Sequence, residues 1–114
     1  AEIKNICTDE DIHNLCRQLG IDQALNKKYK TYSLGMKQKL RLAQALMENP
    51  DILILDEPFN ALDENSVKVV KDILNKFIRQ PDKILIFTSH HIDDVEDLAD
   101  VILLIKDQKL YICE

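Results

Sequence analysis

The chain has 114 residues and a formal net charge of −5, with 46% hydrophobic and 31% charged residues. That length fits one domain or a large piece of one. The balance argues for a soluble globular chain rather than a disordered one, and against a broad basic surface for nucleic acid. Only two glycines are present, where average usage of about 7% predicts roughly eight. Gly20 and Gly35 are too far apart for a phosphate-cradling G-x-x-x-x-G-K-S/T loop or a dinucleotide G-x-G-x-x-G turn. Any nucleotide chemistry here must use something other than a glycine loop of the chain's own.

The elements follow in chain order. Thr8-Asp9-Glu10-Asp11 resembles a capping box with a shorter acid, ahead of an apolar stripe at Ile12, Leu15, Cys16 and Leu19. Gly20 is the expected stop. Asp22 is a candidate cap for a short helix through Asn26, followed by a polar connector over 27–32. Ser33 caps the next helix, in which Met36, Leu40, Ala43 and Met47 recur at helical spacing until Asn49 and Pro50. The period then changes. Ile52-Leu53-Ile54-Leu55 is a short continuous apolar run, as in a parallel strand buried on both faces. Asp63 caps a long helix facing inward through Val67, Val70, Ile73, Leu74, Phe77 and Ile78, which Pro81-Asp82 breaks. Ile84 to Phe87 is a second buried strand, and a short helix carries Ile92, Val95 and Ala99. Val101 to Ile105 is a third strand, joined through the Asp107-Gln108 turn to a last one at Leu110 to Ile112 as a hairpin. Strand and helix alternate after a helical first third, which predicts an α/β fold with a right-handed parallel sheet flanked by helices.

Charge and cysteine usage add little chemistry. From Gln23 to Met47 there is no acid, while Lys27, Lys28, Lys30, Lys37, Lys39 and Arg41 are basic. Such a run is either a solvated face or the surroundings of an anion site. Cys7, Cys16 and Cys113 form no C-x-x-C pair, so neither a zinc site nor a disulfide framework is supported. His13 and Cys16 are spaced to share a helix face, but Cys16 reads as core. No apolar run reaches the roughly 18 residues of a membrane span, and no signal peptide is present.

The chemistry gathers at strand ends, where parallel sheets hold their ligands. The first core strand runs into Asp56-Glu57-Pro58 and the second into Thr88-Ser89-His90-His91. Two carboxylates after an apolar strand are costly unless they have a task. Asp56 could hold Mg²⁺ through oxygen, and Glu57 could deprotonate an attacking water. His90 could donate to a phosphate oxygen, or be an ordinary structural histidine. Ser33-Leu34-Gly35 opens a helix in the acid-free stretch, where free amides and the dipole suit an anion. Ordinary helix caps look the same.

In order and spacing, Tyr32 to Asp63 resembles the centre of an ATP-binding cassette (ABC) ATPase. Ser33-Leu34-Gly35-Met36 resembles its signature loop, Ile52 to Glu57 its Walker B strand with the catalytic glutamate, and Asn60-Ala61-Leu62-Asp63 its D-loop. Ser89-His90 stands one strand later, where the switch histidine should be. The first signature glycine is replaced by Leu34, and that variant with Met36-Lys37-Gln38 resembles exporter cassettes of the bacitracin and lantibiotic resistance kind. Walker A and a Q-loop are absent and would lie upstream of Ala1. The resemblance therefore implies the C-terminal part of a P-loop NTPase domain over 1–114, with a helical signature part to residue 50 and the Walker B part beyond.

The resemblance implies two cassettes sandwiching two ATP molecules head to tail. Ser33 and Gly35 would bind the γ-phosphate of the partner's ATP, and Asp63 would couple the two sites. Asp56 would position Mg²⁺, Glu57 would activate water, and His90 would contact the γ-phosphate on its own side. Partners implied are a second ATPase subunit and an integral membrane transporter subunit, with no nucleic acid, at the cytoplasmic face of the membrane. The isolated piece is expected to be inactive without Walker A and to self-associate through uncovered apolar sheet. Two alternatives come from other classes. One is a cassette acting as an ATP-gated switch in DNA repair or translation. The other is a metal-dependent hydrolase using Asp56, Glu57, His90, His91, Asp93 and Asp94, which leaves the signature segment unexplained.

Overall fold

The computed structural model describes residues 9–22 and 28–113. The Thr8 cap and the body of the helix expected after Asp22 lie outside the described residues. Helix α1 spans Asp9–Gln18. It ends as the glycine predicts: Gly20 takes φ 74, its N–H donates to Arg17 O, and the Ile21 N–H donates to Cys16 O. Those two bonds satisfy helix-end carbonyls in the Schellman pattern, where an unbranched left-handed residue is needed. Cys16 and Ile21 are both buried at that turn. Burial, then the nearby charge of Asp22, pushes the Cys16 thiol up, so it behaves as a small apolar core group.

A 3-10 turn at Tyr29–Thr31 leads into α2, Leu34–Met47. Ser33 is the N-cap in extended backbone, and its hydroxyl accepts from the Met36 N–H at 3.1 Å. Strand β1 is Ile52–Leu55, α3 is Glu64–Ile78, β2 is Ile84–Phe87 and α4 is Ile92–Leu98. Lys83 ties the start of β2 to the end of α2. Its ammonium donates to the Asn49 and Pro50 carbonyls at 3.1 and 2.9 Å and lies 5.7 Å above the Phe77 ring. Within α3, Lys71 bridges to Asp94 and Asp97 of α4, both at 2.7 Å. Burial alone would lower the Lys71 pKa, but the bonds from Asp94 and Asp97 outweigh it and raise it.

β1 and β2 pair in parallel, with Leu55 opposite Phe87. The core gathers Leu42 and Ala43 of α2, Leu53 of β1, Val70, Leu74 and Phe77 of α3, and Leu98 of α4. The structure corrects the sequence-based expectation at two places. The continuous apolar runs predict strands buried on both faces, yet the strands alternate: Leu53 is 3% exposed while Ile54 is 70% exposed. Ile52, Ile84 and Ile86 share the open face with Ile54, because the packed helices gather on the Leu53 side among the described residues. The alternation of strand and helix predicts that the third strand extends the parallel sheet. Instead β3, Ile102–Lys106, lies outside that pair among the described residues and joins β4, Lys109–Cys113, in the antiparallel hairpin that the Asp107-Gln108 turn predicts. Asp107 and Gln108 both take positive φ, the conformation a two-residue hairpin turn requires. Among the described residues no helix is long and apolar enough to cross a membrane.

Leu74 is fully buried, so Leu74→Ala should cost about 2–5 kcal/mol in urea unfolding. Ile54→Ala, on the open face, should change stability by less than about 0.5 kcal/mol. Equal losses at the two positions would contradict this one-sided core.

Candidate functional site

The parallel register decides which side chains meet. Because Leu55 lies opposite Phe87, the next residues on each strand emerge side by side, and the Thr88 N–H continues the ladder to Leu55 O at 3.1 Å. Asp56 and Glu57 leave β1 at the same level at which Thr88, Ser89 and His90 leave β2. The Thr88 hydroxyl donates to Asp56 Oδ1 at 2.6 Å and accepts the Glu57 N–H at 2.9 Å. His90 Nε2 lies 3.0 Å from Glu57 Oε1. Two residues 33 positions apart in sequence thus become a contact pair at the mouth of the sheet.

Glu57 takes φ 50, a left-handed backbone that is uncommon outside glycine. It opens the turn in which the Asn60 N–H donates to Glu57 O at 3.1 Å. Gln38 of α2 donates through Nε2 to the same carbonyl at 2.8 Å. Phe59 anchors this loop in the core, edge-on to Phe87 with ring centroids 6.1 Å apart. Lys71 lies 5.7 Å from the Phe59 centroid. The loop and the β2 end enclose a cavity of about 350 Å³, lined by Glu57, Phe59, Asn60, Ala61, Leu62, Ser89, His90 and His91.

The six residues singled out by sequence divide into two groups. Glu57 and His90 face each other on this cavity, with Asp56 beside them through Thr88. Ser33, Gly35 and Asp63 do not line it. Ser33 caps α2. Gly35 packs against the loop after β1, where a Cβ would meet Ala61 O at 2.9 Å. Any side chain at that position would displace backbone. Asp63 caps α3, with Oδ1 accepting the Ser66 N–H at 2.7 Å. Thr88 and Gln38 carry bonds to the acidic pair that the sequence alone does not assign. The signal that points to Thr88 is its place, one residue past β2, beside the residue one past β1.

The donor set suits Mg²⁺ rather than a protein-caged metal. Among the described residues no three His, Cys, Asp or Glu side chains gather to hold an ion. That leaves the metal-hydrolase alternative without a cluster, since Asp94 is engaged by Lys71 instead. One carboxylate with an anchored oxygen fits a hard cation that keeps its waters and is otherwise held by phosphates.

The family model described as ABC transporter matches residues 3–60. An uncharacterised ABC transporter ATP-binding protein of Bacillus subtilis, YybJ, is 45% identical over 103 residues, covering 90% of this chain and 47% of that protein. The bacitracin transport ATP-binding protein BcrA of Enterococcus faecalis is 32% identical, covering 90% of this chain and 33% of its own length. The chain therefore spans at most about half the length of these relatives. Among solved structures, an inward-facing ABC transporter of the metal-chelate type aligns with a TM-score of 0.73 at 22% identity, over 95% of this chain and 45% of that one. RNase-L inhibitor aligns with a TM-score of 0.73 at 22% identity, over 84% of this chain and 19% of that one. At such identity these two matches speak for the fold alone.

The Asp63 cap carries a pH dependence. The Ser66 N–H bond, then the Ser66 hydroxyl and more weakly Lys39, holds the Asp63 carboxyl below its ordinary range. A carboxyl lowered on folding stabilises the fold above its unfolded pKa and ceases to do so as pH falls through the folded one. Carbon-13 NMR should place the Asp63 midpoint below the ordinary carboxylate range, and Asp63→Asn should keep the helix while losing that part of the acid sensitivity. A midpoint at or above the ordinary value would refute the cap.

Proposed function

The chain belongs to the ABC transporter family, and from that premise we propose that it is the C-terminal part of an ATP-hydrolysing subunit that powers a membrane transporter. The observation that carries the proposal is the Glu57–His90 pair, 3.0 Å apart at the carboxyl ends of two in-register strands, with Asp56 fixed beside it. Phosphoryl transfer to water asks for a positioned nucleophile and neutralised charge more than for covalent chemistry. Glu57 orients the water and accepts its proton. His90 donates its ring N–H toward a γ-phosphate oxygen, giving up its Glu57 contact for that bond when nucleotide is present. Asp56 holds Mg²⁺, which would neutralise phosphate charge. On its own the 114-residue piece lacks a phosphate-cradling loop, and we propose that it is inactive alone.

Ser33 and Gly35 lie outside the Glu57 cavity, which supports service to a second subunit's nucleotide in a head-to-tail pair. The first turn of α2 suits that task, because its leading amides lie outside the helical ladder. Asp63, two residues beyond the Ala61 carbonyl that abuts Gly35, would link that surface to α3. The working place of the assembly is the cytoplasmic face of a membrane, on an integral partner. The BcrA likeness supports an exporter of the bacitracin kind as a functional relative.

In the longer subunit Glu57→Gln should lower steady-state ATP turnover by roughly 10²–10⁴-fold, while ATP-dependent pairing of two subunits persists. Wild-type turnover in that variant would refute the role of Glu57. Affinity capture from detergent extract should recover an integral membrane partner. Recovery of a nucleic-acid or ribosomal complex instead would favour the ATP-gated switch without transport.

A further inference from the structure

Glu57 is unusual in that both its backbone polar groups are held by side chains from distant parts of the chain. Its N–H donates to Thr88 Oγ1 at 2.9 Å, at the end of β2. Its carbonyl accepts from Gln38 Nε2 at 2.8 Å, from the second turn of α2. Between these two bonds the residue sits at φ 50. A left-handed non-glycine backbone persists only where its surroundings over-determine it. Removing either bond frees the peptide to relax toward the ordinary region and carries the carboxylate away from His90.

The Thr88 hydroxyl does a second thing. Its single proton goes to Asp56 Oδ1 at 2.6 Å, so the Glu57 N–H must meet its lone pair. The order Glu57 N–H, Thr88 O–H, Asp56 carboxylate is a directed chain in which each bond polarises the next. It fixes one oxygen of Asp56 and leaves Oδ2 as the oxygen for a hard cation or its water. Gln38, by contrast, acts on the Glu57 carbonyl. Its reach is set by the seat of α2 against the loop, where Gly35 leaves no room for a Cβ beside Ala61 O.

We propose that Thr88 and Gln38 are positioning residues that clamp the Glu57 peptide in its left-handed conformation, and that Thr88 also orients Asp56. The proposal rests on the ATPase reading above and adds two side chains to it.

The test uses the longer ATPase subunit with Mg-ATP, and variants Thr88→Val, Thr88→Ser and Gln38→Met. Partners that orient the groups at a metal site are commonly worth about 10–100-fold in activity or metal affinity. Thr88→Val should therefore lower kcat by that order and weaken Mg²⁺ affinity, read by calorimetry with a non-hydrolysable ATP analogue, with KM for ATP moved little. Thr88→Ser, which keeps the hydroxyl, should restore both. Gln38→Met should lower kcat while leaving the Mg²⁺ affinity unchanged. Wild-type kcat in Thr88→Val, or a serine variant as impaired as the valine one, would overturn the role of the hydroxyl. Wild-type kcat in Gln38→Met would overturn the other half of the clamp, and it decides alone should Thr88→Val not fold. Failure of the clamp and failure of the ATPase reading are separable. Full turnover in Glu57→Gln sinks the reading, whereas an inactive Glu57→Gln beside a wild-type Thr88→Val sinks only the clamp.

Discussion

The pairing of Leu55 with Phe87 is the contact on which the site depends. Both strands point the same way, so their carboxyl ends emerge at one level, and the next residues of each become neighbours. A slip of one residue would exchange the two faces of a strand. It would move Leu53 out of the core and separate Thr88 from Asp56. The register is held from both sides. Apolar burial of Leu53, with Leu85 and Phe87 packed against the same core, favours it on one side. Lys83 pins the entry by engaging the carbonyls of Asn49 and Pro50, just before β1 begins.

Charge is used in this fold mainly to join elements. Lys71 links α3 to α4 and also lies beside Phe59, under the loop that carries Glu57. Lys83 links the α2 end to β2. Exposed ion pairs contribute little by themselves, but these two lysines have most of their side chains withdrawn from water. They act on bonds that apolar packing has already brought within reach. The strand end is held differently. The Thr88 hydroxyl holds the Asp56 carboxylate, the Thr88 hydroxyl and the Gln38 amide hold the Glu57 peptide, and the Glu57 carboxylate meets His90.

The open face of the sheet follows from the one-sided packing among the described residues. Ile52, Ile54, Ile84 and Ile86 form a continuous apolar surface, of the kind that normally marks an interface. The curated relatives are about twice as long as this chain or longer. A chain of half their length carries the strand ends with Asp56, Glu57 and His90, and no phosphate-cradling glycine loop.

The local sequence determined the elements and the chemistry available to them. Ser33 and Asp63 cap the helices that their positions predict, Gly20 ends α1, and the apolar runs form strands. Those features depend on residues within a turn or two of one another, where propensity and capping decide. Asp56, Glu57 and His90 were also legible, because polar groups set directly after an apolar strand lose hydration that only a task or a partner restores. Tertiary structure decided what no local pattern carries. It set the 3.0 Å contact between Glu57 and His90, the bonds of Thr88 and Gln38 to the Glu57 peptide, and the reason Gly35 must be glycine. It also separated β3 from the parallel pair and left one sheet face open. Each of these depends on which distant strand or helix lies alongside. Side-chain periodicity gives the face a residue occupies, but only packing shows whether anything covers that face.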